Sequence, residues 1–275
     1  MVIILSGSSA SGKNTLIKEI LKTNNEIKYI NTFTSRTMRE DESEGNPYHF
    51  ITKDEFQAKI KNGDFFEHEL IHNNFYGVDK NICLSYLDQN LDIIKDMGIY
   101  GTFNLKEKLQ DRTNVRTIFL FVDKKTLRKR LIHRGEKQIK LRLKRYRLEQ
   151  KHANKYDFLI YNKDIEKTLT ILHKIISYKD QPDYMFIKPI CNRINEKKVK
   201  KYCDQFLKNK EFKPIKIYFN GENFYIKHNV EKYIASILSK KCVTKNIITK
   251  NANFKVSNEN LIIDYINDKL QNEND

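Results

Sequence analysis

The run Gly7-Ser8-Ser9-Ala10-Ser11-Gly12-Lys13-Asn14-Thr15 has the composition of a phosphate holder. Gly7 and Gly12 let the backbone curl so that successive N–H groups converge on one anion, and Lys13 adds a full positive charge for β- and γ-phosphates. The residue after the lysine is Asn14, where Ser or Thr is usual as a Mg²⁺ ligand. An amide oxygen is also an acceptor and a ligand for a hard cation, so Asn14 is the candidate metal ligand. A second set lies downstream. Arg36 and Arg39, with Tyr48 and Tyr76, offer planar donor forks and hydroxyls suited to one phosphate dianion.

These groups need elements to hold them. Val2-Ile3-Ile4-Leu5 is a short apolar strand before the glycine run, and Leu16–Leu21 reads as a helix after it. That strand–loop–helix context is what a P-loop requires. Asp54–Lys61, Lys124–Leu131 and Ile165–Ile176 carry helical spacing. Leu91–Ile94, Thr117–Val122 and Phe158–Tyr161 are apolar enough to be strands buried on both faces. A polar, turn-rich segment ends at Phe50, and a basic region runs from His133 to Arg147. Alternation of this kind implies an α/β fold, a parallel sheet with helices on both faces and the ligand at the strand C-termini. The polar stretch Ser177–Asp183, with Pro182, predicts a boundary. Beyond it, Met185–Ile187 reads as a strand, Glu196–Leu207 as a helix, and Pro214–Phe219 with Asn223–Ile226 as a hairpin turning at Asn220-Gly221. Helices Val230–Leu238 and Leu261–Leu270 complete a small α+β unit.

Thr32-Phe33-Thr34-Ser35-Arg36-Thr37-Met38-Arg39, then Glu42, Gly45 and Tyr48, then Gly63-Asp64-Phe65-Phe66-Glu67 and Asn74-Phe75-Tyr76-Gly77 form an ordered series. The series resembles guanylate kinases, over residues 1–177, with an acceptor-binding region at about 32–88 and a lid at about 133–147. The resemblance implies the P-loop nucleoside monophosphate kinase fold and the reaction ATP + GMP → ADP + GDP with Mg²⁺. By it, Gly7 to Thr15 hold the donor phosphates, and Thr32, Arg36, Arg39, Tyr48 and Tyr76 hold the acceptor phosphate. Glu67 reads guanine, since a carboxylate accepts from both N1–H and N2–H₂, and Asp96 is a second acidic position near the base. Arg130, Arg134 and Arg142 match the catalytic arginines of the lid, where neutralising the transferring group is most of the task. Asn162 matches a position near the donor adenine.

Three positions depart from that pattern. Asn14 replaces the metal-ligating hydroxyl, Val78 the Ser or Thr after Tyr-Gly, and Gly98 the second carboxylate of Asp-x-Asp. A base-reading site that loses partners selects less sharply. The Val after Tyr-Gly is similar to ribose 1,5-bisphosphate phosphokinases, so another acceptor, or a weakened nucleotide-binding regulatory module, stands as the alternative.

Pro214–Ile217 with Tyr225–Ala235 resembles the ParB/sulfiredoxin type of domain, with His228, Asn229 and Lys232 in place of Asp, Gly and Arg. Residues 184–275 are accordingly expected to form an accessory domain. The formal net charge of +16 over 275 residues suits polyanionic partners, so nucleotide or nucleic-acid contact through this basic part is the matching expectation. Cys83, Cys191, Cys203 and Cys242 are scattered, which argues for reduced thiols and against structural zinc. No apolar run reaches the roughly 18 residues of a membrane span, which predicts a soluble cytoplasmic protein without a membrane partner. The oligomeric state is not legible.

Overall fold

The computed structural model describes residues 1–38, 42–45, 47–71, 73–191, 193–208, 210–241, 243–249 and 261–271. The chain divides into two compact units, Met1–Ser6 with Lys13–Thr117 and Gly7–Gly12 with Ile118–Asp275. In the first unit, β1 (Val2–Ser6) is followed by α1 (Lys13–Thr23), β2 (Ile27–Tyr29), β3 (Thr32–Thr34), β4 (Ser43–Glu44), β5 (Pro47–Phe50) and α2 (Lys53–Lys61). Then come β6 (Phe65–Ile71), β7 (Asn74–Asp79), α3 (Lys80–Asp88), β8 (Asp92–Asp96), α4 (Ile99–Leu109) and the start of β9 (Val115–Phe121).

All five residues of β1 are buried, as a continuous apolar run demands when helices cover both sheet faces. β8 pairs with β1 and with β2, both in parallel. Val2, Ile4, Ile93, Leu105 and Leu109 belong to the core that results. The polar segment before Phe50 contributes to a second, five-stranded sheet of order β4-β5-β3-β7-β6. There β3 pairs in parallel with β5 and antiparallel with β7, and β6 pairs antiparallel with β7. Helix α2 begins in a capping box, with Thr52 and Glu55 satisfying each other's backbone N–H, a device of about 1 kcal/mol.

The second unit takes β9 from Ile118, then α5 (Lys124–His133), α6 (Ile139–His152), β10 (Phe158–Tyr161), α7 (Ile165–Ser177), β11 (Ile187–Pro189) and α8 (Glu196–Leu207). It ends in β12 (Ile215–Phe219), β13 (Phe224–Ile226), α9 (Val230–Leu238), β14 (Lys245–Thr249) and α10 (Leu261–Gln271). β12 and β13 form the expected hairpin, turned by Asn220, whose side chain accepts from the N–H groups of Glu222 and Asn223. The expected strand at Met185–Ile187 is instead a 3₁₀ turn, Asp183–Met185, leading into β11.

The predicted boundary at Ser177–Asp183 does not begin a separate sheet. β14 pairs in parallel with β10 and with β12, so the strands beyond residue 184 extend the sheet that β9 and β10 begin. Thr244 Oγ1 donates to the Asn154 carbonyl at 2.5 Å and Lys245 Nζ meets Asp183 at 2.6 Å, fastening that edge. Asn229 takes the left-handed conformation, φ +62°, at the start of α9, which asparagine tolerates better than most residues. Lys232 is buried and donates to the Lys213 carbonyl at 2.8 Å, so its ammonium is used inside the fold rather than presented to an anion. No helix among the described residues is long and apolar enough to cross a membrane.

Candidate active site

The phosphate loop runs from the end of β1 into α1. Gly12 has φ +99°, and a Cβ there would lie 2.5 Å from Asn162 Nδ2, so glycine is required both by conformation and by space. Asn162 itself is fully buried. Its amide donates to the Ser11 carbonyl at 2.7 Å, and its Oδ1 accepts from Thr168 Oγ1 at 2.9 Å. Its side chain is thus taken up in pinning the loop. Arg130, on α5, reaches the same place, with Nη1 3.5 Å from the Ser11 carbonyl and Nη2 3.2 Å from the Asn162 carbonyl. Ser8 Oγ donates to Glu149 of α6 at 2.5 Å, and Glu149 also pairs with Arg145 at 3.3 Å. Ser9 and Ala10 are partly exposed on the loop. Among the described residues, Ser11 Oγ is buried without a hydrogen-bond partner, which suits a loop built around a ligand oxygen.

The three arginines expected in a lid separate by environment. Arg130 is braced on the loop, whereas Arg142 Nε is paired with Glu136 at 3.2 Å across the connection from α5 to α6. Arg134 is the exposed C-cap of α5.

Lys13, Asn14 and Thr15 open α1, with Asn14 and Thr15 exposed. Asp96, at the end of β8, accepts from the Tyr29 hydroxyl at 2.6 Å. Burial alone would push its carboxyl up, but the positive charges of Lys95 and Lys13 and the Tyr29 hydrogen bond hold it below the ordinary carboxylate value. Asp96 is therefore an ionised neighbour of the loop lysine.

The second sheet gathers the acceptor candidates. Register puts Thr32 beside Tyr48, and Tyr76 opposite Thr34. The Tyr48 and Tyr76 rings meet edge to face at 5.9 Å, and the Arg36 guanidinium lies 5.4 Å from the Tyr48 ring centre. Arg36 Nη2 holds both oxygens of Glu42, at 2.7 and 2.9 Å, which raises its already high pKa. Glu42 thus orients one edge of the fork in advance of any phosphate. Arg39 lies outside the described residues. Glu67 is half-buried on β6, and a Cβ on Gly101 of α4 would lie 2.8 Å from its Oε2. Burial, with the Glu69 charge, pushes Glu67 up to about 7 against the pull of Lys95 and Lys108. A carboxylate poised near neutrality, lying against a bare helix backbone, is suited to meeting a flat donor edge.

Comparison with known proteins decides the family. The sequence pattern of guanylate kinase matches residues 1–179. The guanylate kinase of Rickettsia felis is 37% identical over 180 residues, 64% of this chain and 92% of that one. That of Clostridium tetani is 32% identical over 183 residues, 64% of this chain and 85% of the other. The crystal structure of guanylate kinase from Anaplasma phagocytophilum aligns with a TM-score of 0.55 at 27% identity, covering 66% of this chain and 87% of that one. The chain belongs to the guanylate kinase family.

Within a guanylate kinase frame, the departures acquire structural sense. Gly98 is the N-cap of α4 and supplies no side-chain cap, so the missing carboxylate is also a missing cap. Val78 is buried with Phe66 and Cys83 in the apolar core, opposite Glu67 in the β6–β7 register. Three residues of the site escaped the sequence reading. Lys95 is buried to 2% exposure in β8 and donates to Thr32 Oγ1 at 2.5 Å. Tyr29 joins Asp96, and Glu149 joins Ser8. Lys95 could have been noticed as a cation between the apolar pair Ile93-Ile94 and Asp96, and Glu149 by its i,i+4 spacing from Arg145. Tyr29 carried no signal.

Proposed function

We propose that the guanylate kinase region, residues 1–179, transfers the γ-phosphoryl group of ATP to GMP, yielding ADP and GDP. The observation that carries this reading is the clustering of Thr32, Tyr48 and Tyr76 on one small sheet that also bears Glu67, with Arg36 against the Tyr48 ring, in a chain of this family. A phosphate oxygen of GMP attacks the γ-phosphorus, and the bond from that phosphorus to the oxygen retained by ADP breaks. No covalent enzyme intermediate is needed, so the protein's work is placement and charge neutralisation.

The loop N–H groups from Gly7 to Gly12 and the Lys13 ammonium hold the donor phosphates. Arg36, already oriented by Glu42, and Arg39 take the acceptor phosphate with the hydroxyls of Thr32, Tyr48 and Tyr76. Glu67 as a carboxylate accepts from N1–H and N2–H₂ of guanine, an edge that adenine lacks. Arg130, Arg134 and Arg142 neutralise charge on the transferring group. Arg130 begins from its brace on the loop, whereas Arg142 must leave Glu136 to do so. Asn14 fits Mg²⁺: its exposed amide oxygen at the start of α1 is one hard ligand, and a phosphate-bound Mg²⁺ needs few protein ligands. When bound there, Mg²⁺ neutralises donor phosphate charge.

The test is ADP release with ATP and Mg²⁺ across GMP, dGMP, AMP, UMP, CMP and ribose 1,5-bisphosphate. Turnover confined to GMP and dGMP is expected. Preference for ribose 1,5-bisphosphate or another nucleotide would overturn the acceptor assignment, and silence on every acceptor would overturn the activity.

A further inference from the structure

A lysine in a buried strand is costly unless its charge meets another. Lys95 is such a lysine: it sits in β8 beside Ile93 and Ile94, with only 2% of its surface exposed. Packing alone would be served by an apolar side chain there, so the ammonium must be retained for its partners. They come from three strands. Lys95 Nζ donates to Thr32 Oγ1 of β3 at 2.5 Å and to the Tyr29 hydroxyl of β2 at 3.3 Å, and lies 3.9 Å from Asp96 Oδ1 of β8. The ammonium also stands 4.7 Å from the centre of the Tyr29 ring, while the Tyr29 hydroxyl donates onward to Asp96.

Two consequences follow from donor and acceptor roles. Because Thr32 Oγ1 receives an N–H from Lys95, its own proton is turned toward another acceptor, and a phosphate oxygen is the kind of acceptor the neighbouring Arg36 and Tyr48 would bring. Burial pulls the Lys95 ammonium below the usual lysine value, and the charges of Asp96 and Glu67 oppose that pull, so the ammonium and these two carboxylates favour one another's charged forms. The charged groups that act on Glu67 are Glu69 on its own strand, Lys95 on β8 and Lys108 on α4. Lys108 also donates to the Phe66 carbonyl. Among the described residues, the two lysines are the charges that favour an ionised Glu67.

We propose that Lys95 is a positioning and specificity residue of the acceptor site: a buried ammonium that fixes the Thr32 hydroxyl and supplies the positive charge the Glu67 carboxylate needs to accept from a guanine edge. It stands in part for what Gly98 and Val78 no longer provide, acting through Glu67 and Thr32. The inference rests on the reading of Glu67 as the base reader, and the experiment separates the two.

The pH dependence of kcat/KM for GMP, with KM for ATP, is measured for the wild-type protein, Glu67→Gln, Lys95→Met and Lys95→Gln. The Glu67→Gln profile removes the part of the acid limb that belongs to Glu67 and leaves the part that belongs to the nucleotide phosphate. In Lys95→Met the Glu67-dependent limb is expected to move about one pH unit higher, with KM for GMP raised roughly tenfold and KM for ATP within about twofold. Lys95→Gln keeps an N–H donor for Thr32 but no charge. It should move the limb as far while raising KM at high pH less, and it decides the matter should Lys95→Met fail to fold. A limb that stays at its wild-type position in both Lys95 variants overturns the inference. So does an equal rise in KM for GMP and ATP. If Glu67→Gln leaves the limb and the GMP KM unchanged, it is the base-reader assignment that fails.

Discussion

Glu67 carries opposite consequences for binding and for stability. Its carboxyl is raised from the ordinary 4.5 to about 7, chiefly by burial. A carboxyl raised on folding binds its proton more tightly in the native state, so stability is greatest below about 4.5 and declines as pH rises toward 7. The full decline is about 3 kcal/mol at 1.36 kcal/mol per pH unit. Thermal unfolding of wild type and Glu67→Gln at pH 5 and pH 8 should therefore show the variant gaining on the wild type at the higher pH. A constant difference would mean that Glu67 is not strained by burial. Binding runs the other way, because accepting from guanine needs the carboxylate: GMP affinity should fall as pH drops through 7, while ATP affinity responds far less. Lys13→Ala makes a different prediction at the same scale. Phosphoryl transfer should be lost by more than about a thousandfold with the circular dichroism spectrum unchanged, and preserved turnover would remove the P-loop assignment.

At the scale of elements, the loop is held as much by what lies beneath it as by its own glycines. Gly12→Ala would place a methyl 2.5 Å from an amide that is itself fastened to Ser11 and Thr168. The expected result is a drop of at least about tenfold in ATP affinity, measured by titration calorimetry, with a lower melting temperature. Unchanged affinity would show that the loop's geometry is not fixed by Asn162. Asn162 also shows where sequence reading stops. Its position in the motif was legible, but its burial was not, because the partners Ser11 and Thr168 lie 151 and 6 residues away along the chain. Regular elements with a strong period read well: β10 and α9 fall at their expected bounds, and α7 differs by one residue. The acceptor sheet did not. Its strands are two to seven residues long, and polar residues along β3, β5 and β7 hide the alternation that would reveal them. The site residues on that sheet were legible only through the ordered motif series, and Lys95, which joins them from another strand, was not in it.

At the scale of the whole chain, residues 180–275 lie outside the part that matches guanylate kinase, yet their strands continue from β10. An uncovered strand edge presents unpaired N–H and C=O groups and invites association with other chains. Truncation after Lys179 should therefore lower the melting temperature by several degrees and promote concentration-dependent aggregation, read by light scattering. A truncated chain that stays monomeric with the same melting temperature would show that β14 adds nothing to β10. Composition marked the boundary at Ser177–Asp183, where the family match also ends, but not that strands beyond it join β10, because pairing between residues 158–160 and 245–247 leaves no local mark. That same separation has a meaning in time. Tyr161 and Lys245 stand 84 residues apart, so at about 5–20 residues per second a ribosome takes roughly 4–17 s to deliver the second strand after the first. Many small domains finish folding within such an interval. Every newly made molecule therefore passes through an interval in which the guanylate kinase region has been synthesised while the outer edge of β10 awaits its partner. Chaperone capture or slowed translation in that interval would govern how much intact protein a cell obtains.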